Sequence, residues 1–327
     1  MKENLLVSVC IPTFNRFKYL KKTLDSIVKQ TYKNLEIIVL DNASTDNTEE
    51  LVQEYIIKYG IKYFRNPVNI GAENWNKCVD LASGEYIALY HSDDIYDSQI
   101  VEKETKVLSN NKDIGAVFTS GYHINKNDRI VNRSKLSFIK ENEIYYLDNR
   151  NGFQKFLDFG CFLICPTSMI RKEIYKEIGN FNCSKYKQAF DFDLWIRILL
   201  KYKIAIINEP LVKYRIHPKF AYEFDDEPDG YKVIDNYINN KEYFDIFKNL
   251  NLVKFNERRK ADRFKFAVRL FCENPDKSLN IIKTLNKYGI KYKIIYILFK
   301  ALKTKILYLF SKLLISTSLK LDRLIKY

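Results

Sequence analysis

The first 110 residues alternate between short apolar segments and segments with helical spacing, and this alternation is the strongest constraint on the fold. Four predicted strands are bounded by turn residues: Leu5–Ile11, Leu35–Leu40, Ile61–Phe64 and Tyr86–Tyr90. Predicted helices lie between and after them, at 17–30, 48–59, 72–82 and 97–109. Strands that alternate with helices in this way predict βαβ units and a mostly parallel sheet flanked by helices. The predicted fold class is therefore α/β.

Polar segments follow three of these strands, at 12–15, 41–46 and 91–94. The carboxyl ends of parallel strands meet at one edge of a sheet, and open α/β sheets bind their ligands at that edge. We therefore expect the three segments to line a single crevice. Neither GxGxxG nor GxxxxGK[ST] occurs in the chain, so a nucleotide in this crevice would be held by another arrangement.

Two adjacent carboxylates, Asp93 and Asp94, come directly after the apolar strand Tyr86–Tyr90. Carboxylates this close repel each other, and a divalent cation held by oxygen ligands and shared with phosphate would relieve the repulsion. The alternative is that both residues start the next helix, where capping and the helix dipole favour Asp. Both interpretations are open at this point.

Composition excludes several classes of protein. A hydrophobic share of 46% argues against disorder, and the six cysteines and three histidines lack the paired spacing of zinc sites. The apolar run at the N-terminus is too short for a signal peptide, which predicts a reducing, cytoplasmic location with free thiols.

Positive charge is concentrated in the last third of the chain. Residues 1–230 have no net formal charge, whereas residues 231–327 carry the whole excess of +14. Four lysines interrupt the apolar segment Ile294–Ile315, so none of its uncharged runs is long enough to span a bilayer. One interpretation is a basic amphipathic helix on the inner face of the cell membrane. The alternatives are a helical cap on the rest of the chain and an oligomer interface.

Four motifs occur in a characteristic order: SVCIPTFNR from Ser8, DNASTDNT from Asp41, NIG from Asn69 and GEYIALYHSDD from Gly84. Together they resemble the family 2 glycosyltransferases with the GT-A fold, over about residues 5–220. The resemblance implies a GT-A catalytic domain at 1–222. The charge and helical pattern predict that a basic amphipathic helical region follows at 223–327 and associates with a membrane. The resemblance also implies an inverting enzyme that moves a sugar from a nucleotide donor, most commonly a UDP-sugar, to a hydroxyl of a saccharide acceptor.

The resemblance implies roles for residues at the strand ends. Pro12, Thr13 and Asn15 would line the nucleotide pocket, and Asp41 would contact the base unless it only makes a turn with its own backbone. Asn69 is expected mainly to form a turn, with a secondary backbone contact to the donor.

The acidic motif departs from the family pattern at one position. By the resemblance, Asp93 faces the ribose or the metal, and Asp94 is a ligand to Mn²⁺ or Mg²⁺. The commonest form of the motif is Asp-x-Asp-Asp, but His91 occupies the first place here. His91 is a substitute ligand, an outer-shell donor or an ordinary loop residue.

A second acidic motif, FDFDLWIR from Phe190, has helical spacing. It resembles the family segment Glu-Asp-x-Asp-Leu-Trp, which implies that Asp191 is the general base and that Phe190 replaces the usual Glu. The alternative is a helix cap. Asp193 is predicted to pair with Arg197, four residues further on.

Two further segments carry weaker resemblances. In YRIHP, His217 would reach the metal or the diphosphate, although a lone histidine is more often structural. In GCFLICPTSMIR, the hydroxyls of Thr167 and Ser168 would contact the acceptor, unless they only start a strand.

The basic tail makes a lipid-linked saccharide in bacterial surface polysaccharide synthesis a candidate acceptor for the proposed enzyme. Two other functions compete with this one. A silent glycosyltransferase-like scaffold would explain the departures at His91 and Phe190. A nucleic-acid-binding protein would leave Asp41, Asp94 and Asp191 without a role, so no nucleic-acid partner is expected.

Overall fold

The computed structural model describes residues 5–134, 136–186, 188–217, 229–271, 274–285 and 289–302. The C-terminal part of the apolar segment predicted to lie on a membrane falls outside these ranges. The chain divides into two compact units, the first comprising Met1–Ala221 with Asn236–Leu250 and the second Tyr222–Asp235 with Asn251–Tyr327. The predicted division at 222/223 stays a prediction.

Ten strands form one sheet within the described residues. They are β1 (Val7–Thr13), β2 (Leu35–Asp41), β3 (Lys62–Arg65), β4 (Tyr86–Leu89), β5 (Ile95–Tyr96), β6 (Ile114–Ile124), β7 (Ile130–Arg133), β8 (Ile144–Leu147), β9 (Ser168–Arg171) and β10 (Lys203–Arg215).

Twelve α-helices are described, most of them between the strands of the first unit. They are α1 (Phe17–Ile27), α2 (Thr48–Tyr59), α3 (Glu73–Asp80), α4 (Ile100–Asn110), α5 (Asn149–Phe159), α6 (Lys172–Ile178), α7 (Phe190–Lys201), α8 (Asp229–Ile238), α9 (Phe244–Phe247), α10 (Val253–Leu270), α11 (Pro275–Leu285) and α12 (Ile290–Leu302).

The strand order is β3-β2-β1-β4-β9-β6-β10-β5, with β7 on β6 and β8 on β10. The β3-β2-β1-β4 half is parallel, and β9 is antiparallel to both of its neighbours, β4 and β6. Because β10 is parallel to β6, it runs in the same direction as β1 and β4. The predicted α/β class with flanking helices is confirmed, and the sheet is mixed beyond β4.

The core follows from the apolar strands and from one apolar face on each helix. All seven residues of β1 are buried, and Leu20, Leu24 and Ile27 of α1 pack at helical spacing against the same cluster as Val9 and Ile11. Complete burial of one such side chain contributes about 1.5–3 kcal/mol. The core therefore fixes the ends of the parallel strands.

The helices α10, α11 and α12 form a separate small core in the second unit. Ala267, Ile281 and Ile282 are buried there, and the Phe271 and Phe299 rings lie 4.5 Å apart between centroids. None of the helices that the structure describes is both long and apolar enough to cross a membrane.

A buried carboxylate ties β1, β2 and the start of β4 together at the edge opposite to the polar strand ends. Glu36 accepts hydrogen bonds from the Ser8 hydroxyl, from the Ser83 amide (2.5 Å) and from Lys62 Nζ (2.6 Å). Burial alone would raise the pKa of Glu36, but the hydrogen bonds from Lys62, Ser8 and Ser83 outweigh it and lower the pKa to about 2. No side chain fits at Gly84, because a Cβ there would lie 2.7 Å from the Leu6 carbonyl oxygen.

We predict that Glu36→Gln destabilises the protein at neutral pH by about 2 kcal/mol, less than the full linkage value because Lys62 is exposed. The lowered pKa means that this stabilisation is complete above about pH 4.5 and is lost as the pH falls towards 2. Urea unfolding at pH 7 and pH 3 measures it, with the exposed Glu54→Gln as control. An equal loss for both variants at pH 7 would contradict the assignment.

Candidate active site

The loops after β1 and β2 are locked together by side chains. Asn15 has a left-handed backbone (φ 51°), which Asn tolerates well, and its side-chain oxygen accepts a hydrogen bond from the Thr45 amide at 2.8 Å. The Asn15 amide donates to Ser44 Oγ at 2.9 Å. Pro12 and Thr13, which precede this loop, are buried at the end of β1. These hydrogen bonds hold the predicted nucleotide-binding loop against the loop that follows β2.

Asp41 ends β2 and is completely buried. One of its carboxylate oxygens accepts from the Ser44 amide at 2.9 Å, and the other accepts from the Tyr63 hydroxyl at 2.9 Å and from Arg65. Burial and the neighbouring carboxylate raise the pKa of Tyr63 to about 12, so its hydroxyl stays a donor. Internal donors thus orient Asp41, and its contact with a nucleotide base stays a prediction.

Asn69 forms the predicted turn. Its side-chain oxygen accepts from Asn42 Nδ2 at 2.7 Å and from the Gly71 amide at 2.8 Å, and Gly71 has the positive φ (63°) that the turn requires. The turn accounts for Asn69, and the secondary contact to a donor stays a prediction.

Three potential ligand groups meet after β4. One ligand atom each of His91, Asp93 and Asp94 lies within 4.8 Å of the others. Asp94 is completely buried, and its Oδ1 accepts from the Arg215 amide at 2.6 Å. Its Oδ2 and the Nε2 of His91 have no hydrogen-bond partner among the described residues. The helix-start interpretation fails, because α4 begins six residues after Asp94.

This donor set fits a divalent cation. Burial, and then the charge of Asp93, raises the pKa of Asp94 well above its usual range. Burial also lowers the pKa of His91 to about 4, which keeps its imidazole neutral and able to act as a ligand. A bound cation would give the unpartnered Asp94 Oδ2 a partner, and His91 Nδ1 lies 3.7 Å from that oxygen. Carboxylate oxygens suit both Mn²⁺ and Mg²⁺, and an imidazole ligand suits Mn²⁺ better than Mg²⁺.

His217 reaches this cluster through Asp93. Its Nε2 lies 2.7 Å from Asp93 Oδ2, and Arg16 Nε lies 3.3 Å from the same oxygen. The structure therefore places His217 beside the predicted metal ligands, although its own role as a ligand stays a prediction.

Arg215 is the main residue of this site that the sequence interpretation missed. Its guanidinium is buried over the Tyr19 ring, 4.4 Å from the centroid, and donates to the main-chain oxygens of Asp93 and Asn125 at 2.8 Å. It lies within the YRIHP motif, but nothing in the sequence indicates what it contacts.

Asp191 lies in the first turn of α7 and is half-buried. Its Oδ1 accepts from the Phe192 amide at 2.7 Å, and burial raises its pKa to about 6. The cap residue of α7 is Ala189, so Asp191 does not cap the helix. A carboxylate with a raised pKa is a better proton acceptor than a free aspartate.

The model of the family described as Glycosyl transferase family 2 matches residues 8–179, more than half of the chain. The chain belongs to this family. It is a glycosyltransferase.

An uncharacterized glycosyltransferase of Methanocaldococcus jannaschii is 36% identical over 222 residues, which cover 66% of this chain and 73% of the relative. The abequosyltransferase RfbV of Salmonella typhimurium is 46% identical over 95 residues, 28% of each chain. The S. aureus TarS 1–349 structure in complex with UDP aligns with a TM-score of 0.57 at 20% identity, covering 86% of this chain and 81% of that one. Against a longer TarS chain, the match covers 48% of its length. The structural match supports the GT-A fold.

Asp193 of this glycosyltransferase is structural. It is buried and accepts from Arg197 Nε at 2.8 Å, Asn182 Nδ2 at 2.6 Å and the Tyr237 hydroxyl at 2.9 Å. The predicted pair with Arg197 is present.

Thr167 and Ser168 are both completely buried, at the point where a short 3₁₀ turn leads into β9. Thr167 Oγ1 donates to the Ile164 carbonyl at 2.8 Å and accepts from the Thr119 amide at 3.1 Å. Their burial opposes the predicted contact with an acceptor and favours the alternative, an ordinary strand start.

Proposed function

We propose that the protein is an inverting glycosyltransferase that moves a sugar from a UDP-sugar to a hydroxyl of a saccharide acceptor. The observation that carries this proposal is the pairing of a desolvated carboxylate, Asp191, with the cluster of His91, Asp93 and Asp94. Asp191 has the raised pKa that a base needs, and the cluster has a buried carboxylate oxygen, Asp94 Oδ2, without a hydrogen-bond partner, to which a cation with a diphosphate could bind.

One structural neighbour and one sequence relative bear on the choice of donor. TarS has been solved in complex with UDP and with UDP-GlcNAc, and its fold matches this chain. RfbV is named for the transfer of abequose, and its match is the most identical of those quoted above. The TarS complexes are consistent with a sugar nucleotide as the donor, and the name of RfbV is consistent with sugar transfer.

In the proposed reaction, Asp191 accepts the proton of the acceptor hydroxyl as that oxygen attacks the anomeric carbon of the donor. A new carbon–oxygen bond forms on one face of the sugar, and the bond to the diphosphate breaks on the opposite face. The electron pair of the broken bond leaves with the diphosphate, so the anomeric configuration inverts. A divalent cation held by Asp94, with His91 and Asp93, would supply a Lewis acid for the charge on the diphosphate.

Asp191→Asn should lower the rate of sugar transfer by at least about 100-fold while UDP binding is kept, because only the proton acceptor is lost. The raised pKa also means that the native carboxylate destabilises the fold as the pH rises from about 4 through 6. Removal of the carboxylate should stabilise the fold at pH 8 by about 1 kcal/mol, a value reduced to allow for partial exposure to solvent. The melting temperature of the variant should therefore be about 2–4 °C higher than that of the native protein at pH 8 and the same at pH 4.

Asp193→Asn is the matched control, since it lies two residues away on the same helix. It should lower the melting temperature, because an amide nitrogen in place of Oδ2 cannot accept from Arg197 or Asn182, and it should leave transfer by the folded fraction largely intact. Normal transfer by Asp191→Asn would show that another group is the base.

Titration of UDP by calorimetry in the presence of Mn²⁺, and again with EDTA, tests the cation site. We expect binding to weaken at least about tenfold with EDTA and to become insensitive to EDTA in Asp94→Asn, which removes the charge of the buried ligand. Tight binding of UDP in EDTA by the native protein would exclude a cation requirement. Binding of UDP without turnover of any donor would favour the silent scaffold.

We also propose that the acceptor is lipid-linked and that the basic tail holds the enzyme on the inner face of the membrane. The support is the excess charge of +14 after residue 230 and the exposed Ile297 and Leu298 on α12. Each lysine near an anionic surface contributes about 1 kcal/mol to membrane binding.

A variant with Lys300, Lys303 and Lys305 changed to Glu should float with anionic vesicles several-fold less than the native chain. Equal flotation of both proteins would refute the membrane proposal.

A further inference from the structure

One indole ring connects the two catalytic regions. Trp75, on α3, contacts the His91 ring edge to face at 5.0 Å between centroids and the Phe190 ring in the same manner at 5.3 Å. His91 belongs to the cluster that fits a cation, and Phe190 directly precedes Asp191. A continuous line of ring contacts therefore runs from the cluster to the proposed base.

The Trp75 and Phe190 rings both pack on a third aromatic ring, and both are partly exposed. Phe181 is buried and contacts both of them, with centroids 5.8 Å away in each case. Trp75 and Phe190 are only half-buried. Together they form an apolar surface beside the catalytic groups, which we call the aromatic wall.

The proposed reaction places the donor sugar against this wall. In that reaction the diphosphate would lie at His91, Asp93 and Asp94, and the acceptor hydroxyl would lie at Asp191. The sugar ring must lie between the leaving and attacking oxygens, and Trp75 spans this interval through its contacts with His91 and Phe190.

The chemistry of the aromatic wall favours one kind of sugar. A hydroxyl held against the ring edges of Trp75 and Phe190 would give up its hydrogen bonds to water without a replacement. A methyl group in the same place would bury apolar surface and gain close packing with the rings.

We propose that Trp75 and Phe190 form the donor-sugar subsite and select a 6-deoxyhexose, whose C6 methyl packs on the aromatic wall. The inference rests on the proposed function, since it assumes a UDP-sugar at this site. An apolar pocket discriminates against one additional hydroxyl by about 10- to 100-fold.

Matched donors that differ by one hydroxyl test this selectivity. The pairs are UDP-glucose with UDP-6-deoxyglucose, UDP-galactose with UDP-6-deoxygalactose, and UDP-GlcNAc with its 6-deoxy analogue. Calorimetric Kd values are measured with Mn²⁺ and without any acceptor, so that only the donor subsite is probed. We expect the 6-deoxy member of at least one pair to bind about 10- to 100-fold more tightly.

Phe190→Glu should abolish or reverse that preference, because a carboxylate accepts a hydrogen bond from the sugar hydroxyl. Both members of a pair carry the same charge, so their Kd ratio is free of the general repulsion that the new carboxylate causes. Phe244→Glu is the control, since it adds the same carboxylate at a phenylalanine that is 61% exposed. It should keep the native ratio, and melting curves should show that both variants fold.

Equal binding within every pair, or tighter binding of the hydroxylated members, would overturn the inference. So would a native preference that Phe190→Glu leaves unchanged. UDP is titrated alone as a separate arm. If UDP binds but no preference appears, only the inference about the sugar fails. If neither UDP nor any donor binds to the folded protein, the proposed function fails, and the inference that rests on it fails as well.

Discussion

The architecture of the active-site edge depends on how a completely buried carboxylate, Asp94, is held. Its Oδ1 takes a hydrogen bond from the Arg215 amide, and the Thr23 hydroxyl donates to its main-chain oxygen at 2.7 Å. Arg215 ends β10, so this strand must reach the same edge as β4. Two successive antiparallel pairings, of β4 with β9 and of β9 with β6, restore the strand direction and bring β10 there. The mixed part of the sheet therefore brings Arg215 to Asp94.

A second network holds the loops on the other side of the crevice before any ligand binds. Asn66 donates to the side-chain oxygens of Asn42 at 3.1 Å and of Asn74 at 2.7 Å, and Asn42 in turn donates to Asn69. Buried amides that satisfy one another stiffen the backbone around them. Polar groups fixed in this way need little reorganisation when charge develops during a reaction. The internal hydrogen bonds to Asp41 act in the same way, since they fix the orientation of its carboxylate before any ligand binds.

The sequence predicts those features that local patterns determine. The alternation of strands and helices, the convergence of polar strand ends, the turn at Asn69 and the pair of Asp193 with Arg197 all follow from spacing along the chain. The features that it does not reveal depend on partners distant in sequence. β9 has only four residues, and its place between β4 and β6 is a matter of tertiary pairing. Arg215 and Trp75 have ordinary local patterns. Arg215 acts through contacts with residues about 90 to 120 positions away. Trp75 contacts rings about 16 and about 115 positions away.

The basicity of Asp191 and the apolar character of its surroundings have one physical origin. A carboxylate at the start of α7 would normally be solvated, but here Phe190 precedes it and the buried Phe192 follows it. Loss of water raises the pKa of Asp191, since the charged form is penalised. The same loss of water makes the adjacent ring surface unfavourable for an unpaired hydroxyl. A polar residue at Phe190 would therefore change two properties together, because it would solvate the base and alter the sugar that the wall accepts. Selectivity for the donor and strength of the base are thus coupled through one side chain.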